Sequence, residues 1–213
     1  MIIVLLGPPG SGKGTQADNI VKTFDLYKVS TGDVFREEVK NNTKLGKEIK
    51  NIIDKGHLVS DNIVNNLIKN ILSHKMNKGI VFDGYPRNLN QAENLNVLVG
   101  KDKISCVLSL NVERDVVVKR ILGRQMCSNC GLIFNEYFNP STPKNHKCDS
   151  GFLKKRSDDN EKTIIDRYET YLVKTLPILD FYKKHKMLLE INGKQEIREI
   201  FKEIRAIISS LQA

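Results

Sequence analysis

The sequence predicts an α/β fold: a central parallel sheet with helices on both faces, three layers in all, carrying two inserted segments. Short apolar runs alternate with helix-like stretches along the chain. The first of these runs leads directly into a glycine-rich loop, and two polar segments interrupt the alternation. Strands that alternate with amphipathic helices need crossover connections, and those connections leave a parallel sheet between helical layers.

"IIVLLG", "IVFDG", "CVLSL" and "MLLEING" read as strands, each bounded by glycine, charge or a turn signal. Behind the glycine loop, Ala17, Ile20, Val21 and Phe24 fall on one helical face. Near the end of the chain, Ile197, Ile200, Phe201, Ile204, Ile208 and Leu211 form a longer stripe. Both stripes read as core-facing. The segments that break the alternation are residues 30–59, polar and helix-rich, and residues 125–161, rich in Asn, Pro and Lys and holding the spaced cysteines. Both read as insertions on a single domain spanning 1–213.

Bulk properties narrow the function. With 213 residues, 40% hydrophobic and 28% charged, the chain has an ordinary globular balance and is long enough for one substantial core. No apolar run approaches membrane-spanning length, and "MIIVLLGPPG" lacks a basic leader, so it reads as a buried strand rather than a signal peptide. The expectation is a cytoplasmic protein with no membrane partner. The net charge of +9 fits either a nucleic-acid surface or arginines gathered around phosphates. Aromatic residues make up 7% and do not interleave with a basic patch, which favours phosphate ligands and no nucleic acid. Cys106, within "SCVLSL", reads as a small buried hydrophobe.

"GPPGSGKGT", Gly7 to Thr15, matches the phosphate-binding loop pattern GxxxxGK[ST], except that Gly14 follows Lys13 and the hydroxyl comes at Thr15. It follows a strand and opens a helix, the setting in which glycine backbone and a helix N-terminus can wrap phosphates. A set of arginines then separates the candidates. Arg36 follows "STGD", Arg87 lies in "DGYPR", Arg120 and Arg124 in "KRILGR", Arg156 in "KRSDD" and Arg167 in "DRYETY". Arg120 and Arg124 are four apart, which would put them on one helical face. This is more cationic charge than one triphosphate needs, and it suits two phosphate-bearing substrates meeting end to end. Taken singly, Arg120 and Arg124 equally fit a solvated helix face, Asp158 and Asp159 a helix N-terminal signal, Asp83 a turn and Gln91 an ordinary surface residue.

"GPPGSGKGTQ", "STGDVFRE", "GHLVSD", "FDGYPRN", "VKRILGR" and "RSDD" occur in this order, and in them the sequence closely resembles the adenylate kinase family in its long-lid form. The resemblance runs from Met1 to about Gly193. It implies a three-layer P-loop NTPase fold with an inserted subdomain binding a nucleoside monophosphate (30–59) and a mobile lid (125–161). It also implies reversible, Mg²⁺-dependent phosphoryl transfer, ATP + AMP to 2 ADP, by a monomer. On that resemblance Gly10, Ser11, Gly12, Lys13, Gly14 and Thr15 hold the ATP phosphates. Arg124, Ile133, Phe134 and the Gln195 backbone serve the rest of ATP. Thr31, Arg36, His57, Leu58, Val59, Gly84, Tyr85, Pro86, Arg87 and Gln91 serve AMP. Arg120, Arg156 and Arg167 surround the transferring phosphoryl group and the AMP phosphate, Asp158 and Asp159 fix lid arginines, and Asp83, with Asp33, holds Mg²⁺ through water. Gln125 stands where the family usually has a second consecutive arginine. The alternatives are a GTP-using relative, a UMP/CMP kinase and, from another class, a basic zinc-knuckle nucleic-acid binder.

The cysteines pose a separate question. Cys127 and Cys130 form a CxxC pair followed by Gly131 and the strand-like "LIF", which reads as a zinc knuckle rather than a redox pair. The resemblance implies a structural Zn²⁺ clip in the lid. A closed site needs four ligands, and about two residues are missing after Cys148 relative to the family. Asp149 is the expected fourth ligand beside Cys127, Cys130 and Cys148, with His146 or a water as alternatives.

Overall fold

In β1 (Ile2–Leu6), five consecutive residues are buried, as expected for a strand covered on both faces. Alternate side chains part to opposite faces. Ile2, Val4 and Leu6 join one core cluster, and Ile3 and Leu5 join the other. A computed structural model, describing residues 1–75, 78–100 and 103–212, shows how the remaining elements assemble around this strand.

The central sheet runs β2 (Tyr27–Ser30), β3 (Ile80–Asp83), β1, β4 (Ile104–Asn111) and β8 (Leu188–Asn192), every neighbouring pair parallel. β2 is the strand that the apolar runs do not announce. At an edge, with Tyr27 and Lys28 only half-buried, it needs no continuous apolar pattern. Helices α1 (Lys13–Phe24) and α9 (Ile197–Ser210) cover one face with Ala17, Ile20, Ile200, Ile204 and Ile208. Helices α4 (Asp61–Lys75), α5 (Leu89–Val99) and α8 (Pro177–Lys184) cover the other with Val64, Ile68, Leu95, Val99 and Ile178. The three-layer α/β/α architecture is therefore as the sequence predicts. The last residue of the α9 stripe is not: Leu211 lies just beyond the helix and is exposed.

The parallel arrangement sets the C-terminal ends of β1, β2, β3 and β4 side by side, so the loops that follow them share one rim. Between β2 and β3, α2 (Thr31–Lys40) and α3 (Lys44–Asp54) project from this rim. Beyond β4 come α6 (Arg114–Leu122) and a small antiparallel sheet of β5 (Arg124–Cys127), β6 (Ile133–Asn135) and β7 (Leu153–Lys154). Helix α7 (Glu161–Thr170) and a single π-helical turn, Tyr171–Thr175, return the chain to the core. One expectation fails here. Helix α6 ends at Leu122 and Arg124 opens β5, so Arg120 and Arg124 do not share a helical face. Gly123 intervenes, and the ladder to Asn135 captures Arg124 instead.

Helix α3 lies so close to α2 that a Cβ at Gly46 would stand 2.1 Å from the Glu38 carbonyl oxygen. Helix propensity alone favours Gly46→Ala by about 1 kcal/mol, but backbone cannot yield to that overlap without shifting an element. Gly46→Ala is therefore expected to lower stability by about 1–3 kcal/mol, read as a reduced urea midpoint. An unchanged or raised midpoint would show that the α2–α3 approach is not tight.

Candidate active site

The loop after β1 is shaped by backbone conformations that L side chains rarely adopt: Gly7, Gly10 and Gly12 have φ of 137°, 75° and 97°. A Cβ on Gly7 would come within 2.6 Å of the Leu110 carbonyl oxygen, and one on Gly10 within 2.6 Å of Ile121 Cγ1. The loop is thus pressed against β4 and α6 and hands over directly to α1, whose first residues, Lys13, Gly14 and Thr15, line a cleft. Lys13 folds back across it, donating to the Gly7 carbonyl at 2.7 Å, the Pro8 carbonyl at 2.8 Å and Ser11 Oγ at 3.2 Å. Asp83, at the end of β3, stands beside the first turn of α1, its Oδ2 3.3 Å from where a Gly14 Cβ would lie.

One cleft joins this loop to the far side of the rim. Gly10, Gly12, Lys13, Gly14, Thr15, Arg124, Ile133 and Phe134 line it, together with Thr31, Arg36, His57, Leu58, Val59, Gly84, Pro86, Arg87 and Gln91. Arg120, Arg156 and Arg167 also face it, as do Asp33, Asp83 and Asp158. Thr31 donates to the Gly84 carbonyl at 2.9 Å, tying the start of α2 to the turn after β3. Arg87 Nε donates to that same carbonyl at 2.7 Å.

Some expected positions fall elsewhere. Tyr85 points into the core, fully buried, with its hydroxyl near the Gln91 carbonyl at 3.1 Å, so its ring does not line the cleft. Ser11 is also buried beneath the loop. Gln195 lies on an exposed bend, and Ile197 is the residue of that region that reaches the cleft. Asp33 is engaged by Arg36 and by Lys28, the latter at 3.6 Å, which leaves Asp83 as the carboxylate nearer the glycine loop. Arg120 turns to the Gly193 carbonyl at 2.8 Å and the Ser11 carbonyl at 3.3 Å, with Phe138 5.4 Å away. Phe138, Asn135 and Asn139 of the hairpin and Ile53 of α3 line the cleft without having been singled out by sequence, because only the folded elements bring them to it.

The cations outnumber their partners. Arg124 pairs with Asp159 through both Nε, at 2.8 Å, and Nη2. Arg167 pairs with Asp158 at 2.7 Å. Helix α7 does not use these aspartates as caps; Asn160 takes that role, accepting from Thr163 N at 3.0 Å. Arg156 keeps a buried Nε with no hydrogen-bond partner. Burial and the neighbouring Arg124 and Arg36 bring Arg156 down to about 10, and burial with Arg167 and Arg36 does the same to Arg87. Lys13 is brought down to about 8, through burial and through Arg87, Arg167 and Arg124, with Asp83 opposing. Asp158 is lowered too, with the opposite effect on charge: burial works against its ionisation, but Arg167, Arg124, Arg36 and Arg156 hold it below the usual carboxylate range. Such a field is suited to a polyanion.

At the tip of the small sheet, Cys127, Cys130, Cys148 and His146 come together, their ligand atoms within 4.8 Å of one another. Asp149 is not among them. Its carboxylate turns back to cap the following turn, accepting from Gly151 N at 2.7 Å, so the expected fourth ligand is replaced by His146. The imidazole Nδ1 meets Ser141 Oγ at 2.9 Å, while Nε2 is buried without a partner. Amide groups already approach the sulfurs: Cys130 N lies 3.5 Å from Cys127 Sγ and Asn129 Nδ2 3.3 Å from Cys148 Sγ. Burial opposes ionisation of Cys127, yet the Cys130 and Asn129 amides and His146 draw its thiol down to about 6. Three sulfurs and one free imidazole nitrogen are a tetrahedral donor set of the kind zinc takes.

With the geometry established, comparison with known proteins is informative. A sequence model described as adenylate kinase matches residues 5–187. The chain belongs to the adenylate kinase family. It is 46% identical over 211 residues to the adenylate kinase of Pelagibacter ubique (strain HTCC1062), spanning 98% of this chain and 99% of that one. It is 45% identical to the adenylate kinase of Methanothrix thermoacetophila and 41% identical to that of Geobacillus sp. (strain WCH70), each over the full length of both chains. Among the described residues, no helix is long and apolar enough to cross a membrane.

Because Lys13 is held near 8 without ligand, phosphate binding should restore its charge. Well below pH 8, where Lys13 is already charged, this group adds no proton linkage. Above it, nucleotide binding takes up a proton, and affinity falls by up to about tenfold per pH unit. Calorimetry of ATP binding at pH 9, in two buffers of different ionisation enthalpy, measures the uptake. A Lys13→Met variant showing the same uptake would assign it to another group.

Proposed function

We propose that the protein transfers a phosphoryl group reversibly between ATP and AMP, giving two ADP, with the glycine-loop end of the cleft taking ATP and the Thr31–Gln91 end taking AMP. The observation that carries this reading is one cleft lined by the glycine loop and by Thr31 to Gln91, with Lys13, Arg87, Arg156 and Arg167 all facing it. A one-nucleotide switch has no use for the second end.

On this reading residues 30–59 form the AMP-binding insertion and residues 125–161 the lid. Gly10 to Thr15 hold the ATP phosphates by backbone amides, and Lys13 reaches the transferring group. Arg124, Ile133 and Phe134 close over the donor from the lid side. Arg36 and Arg87 grip the AMP phosphate, Arg156 and Arg167 neutralise charge in flight, and Asp158 and Asp159 hold the lid arginines in register. Gln91 reads the base. Asp83 would hold Mg²⁺ through water, and the metal would supply charge neutralisation on the ATP phosphates. No protein nucleophile is required: a phosphate monoester has a second pKa of about 6, so the attacking oxygen is already deprotonated at neutral pH. The residues orient two anions in line and exclude the water that would otherwise hydrolyse ATP.

The Cys127, Cys130, His146 and Cys148 cluster is read as a structural Zn²⁺ site that pins the hairpin carrying Arg124, Ile133 and Phe134.

Purified protein should form ADP from ATP, AMP and Mg²⁺, and its absence would refute the assignment. Lys13→Ala is expected to lower kcat by about 100-fold or more, as loss of a positioned charge does. Arg87→Ala should raise the KM for AMP by about tenfold or more, the cost of a lost charge-assisted bond. Metal analysis should find about one zinc per chain, retained in Asp149→Asn and reduced in His146→Ala. Chelation should lower Tm. Zinc retained by His146→Ala and lost by Asp149→Asn would reverse the ligand assignment.

A further inference from the structure

Asp61, in the first turn of α4, and Gln91, in the first turn of α5, meet beside the AMP end of the cleft. Asp61 Oδ1 accepts from Gln91 Nε2 at 2.7 Å and from Asn88 Nδ2 at 2.8 Å, and Oδ2 accepts from Asn90 Nδ2 at 2.9 Å. At the other end of the same amide, Gln91 Oε1 accepts from the Arg87 backbone N–H at 2.8 Å. A carboxylate only accepts and a backbone N–H only donates, so the amide has one permitted orientation. Turned over, it would set oxygen against carboxylate and NH₂ against N–H. Gln91 is 1% exposed, so water could not repair either mismatch.

A primary amide offers two N–H bonds and two lone pairs on its oxygen. Asp61 and Arg87 consume one of each, leaving one donor and one acceptor for the cleft that Gln91 lines. Their order is fixed. It complements a purine edge with an unprotonated N1 and a 6-amino group, and it opposes an edge with N1–H and a 6-oxo group.

We propose that Asp61 is a positioning residue that holds the polarity of the Gln91 amide and thereby makes the acceptor site select 6-amino over 6-oxo purine monophosphates. This rests on the reading of Gln91 as the residue that meets the acceptor base.

The test compares kcat/KM for AMP and for IMP, which differ only at that edge, with saturating MgATP. Asp61→Asn keeps size and hydrogen bonding but can donate as well as accept, so of the two contacts that fix the amide only the Arg87 N–H still opposes its reversal. The AMP/IMP ratio is expected to fall about fivefold or more, mostly through KM, and further in Asp61→Ala. Asn90→Ala, which removes an Asp61 bond without touching Gln91, should leave the ratio unchanged while sharing any loss of Tm that a purely structural role would cause. Ratios within twofold of the parent in both Asp61 variants, with a collapsed ratio in Gln91→Ala, would overturn the role of Asp61 alone. An unchanged ratio in Gln91→Ala would instead remove the premise that Gln91 reads the base.

Discussion

The structure is governed by mutual repulsion among cations forced into one cleft. Two unit charges about 5 Å apart repel by about 3 kcal/mol at an effective dielectric of 20. The lowered pKa values of Lys13, Arg87 and Arg156 register that repulsion together with burial. Nothing short of a well-packed frame keeps such groups from swinging into solvent. The frame here is backbone: Lys13 is held by two carbonyls of its own loop, Arg87 by the Gly84 carbonyl, and Arg120 by carbonyls of Ser11 and Gly193. Neutral acceptors fix position without cancelling charge, which leaves the field available to phosphate.

The carboxylates answer a different need. Asp158 and Asp159 reach Arg124 and Arg167, which belong to β5 and α7 on either side of the hairpin. With Asn160 supplying the helix cap, the aspartates are released from α7 to act across the cleft. The cysteine and histidine cluster lies in the same hairpin, away from these ion pairs.

How much was legible in the sequence depended on how far apart the cooperating residues lie. Gly7 to Thr15 could be read directly, because a strand, a loop and a helix N-terminus act within one short stretch. The fold class was legible for the same reason, since periodicity is local. The fourth metal ligand was not. Asp149 looked closest along the chain, but the turn at Ser150 takes its carboxylate, whereas Ser141 orients His146 with Nε2 left free. The Arg120–Arg124 pairing failed similarly, since i, i+4 spacing means one face only while the helix continues, and this one stops at Leu122.

The sequence by itself determined the parallel α/β core, the phosphate loop and the identity of the cations, all of which follow from patterns within a few turns of chain. Tertiary structure alone decided which carboxylate meets which arginine, that β2 closes the sheet edge, and that Asp61 and Arg87 grip Gln91 from opposite ends. Hydrogen bonds and ion pairs are settled by distances of about 3 Å and by direction, and residues far apart in the chain acquire those only when the elements carrying them have packed.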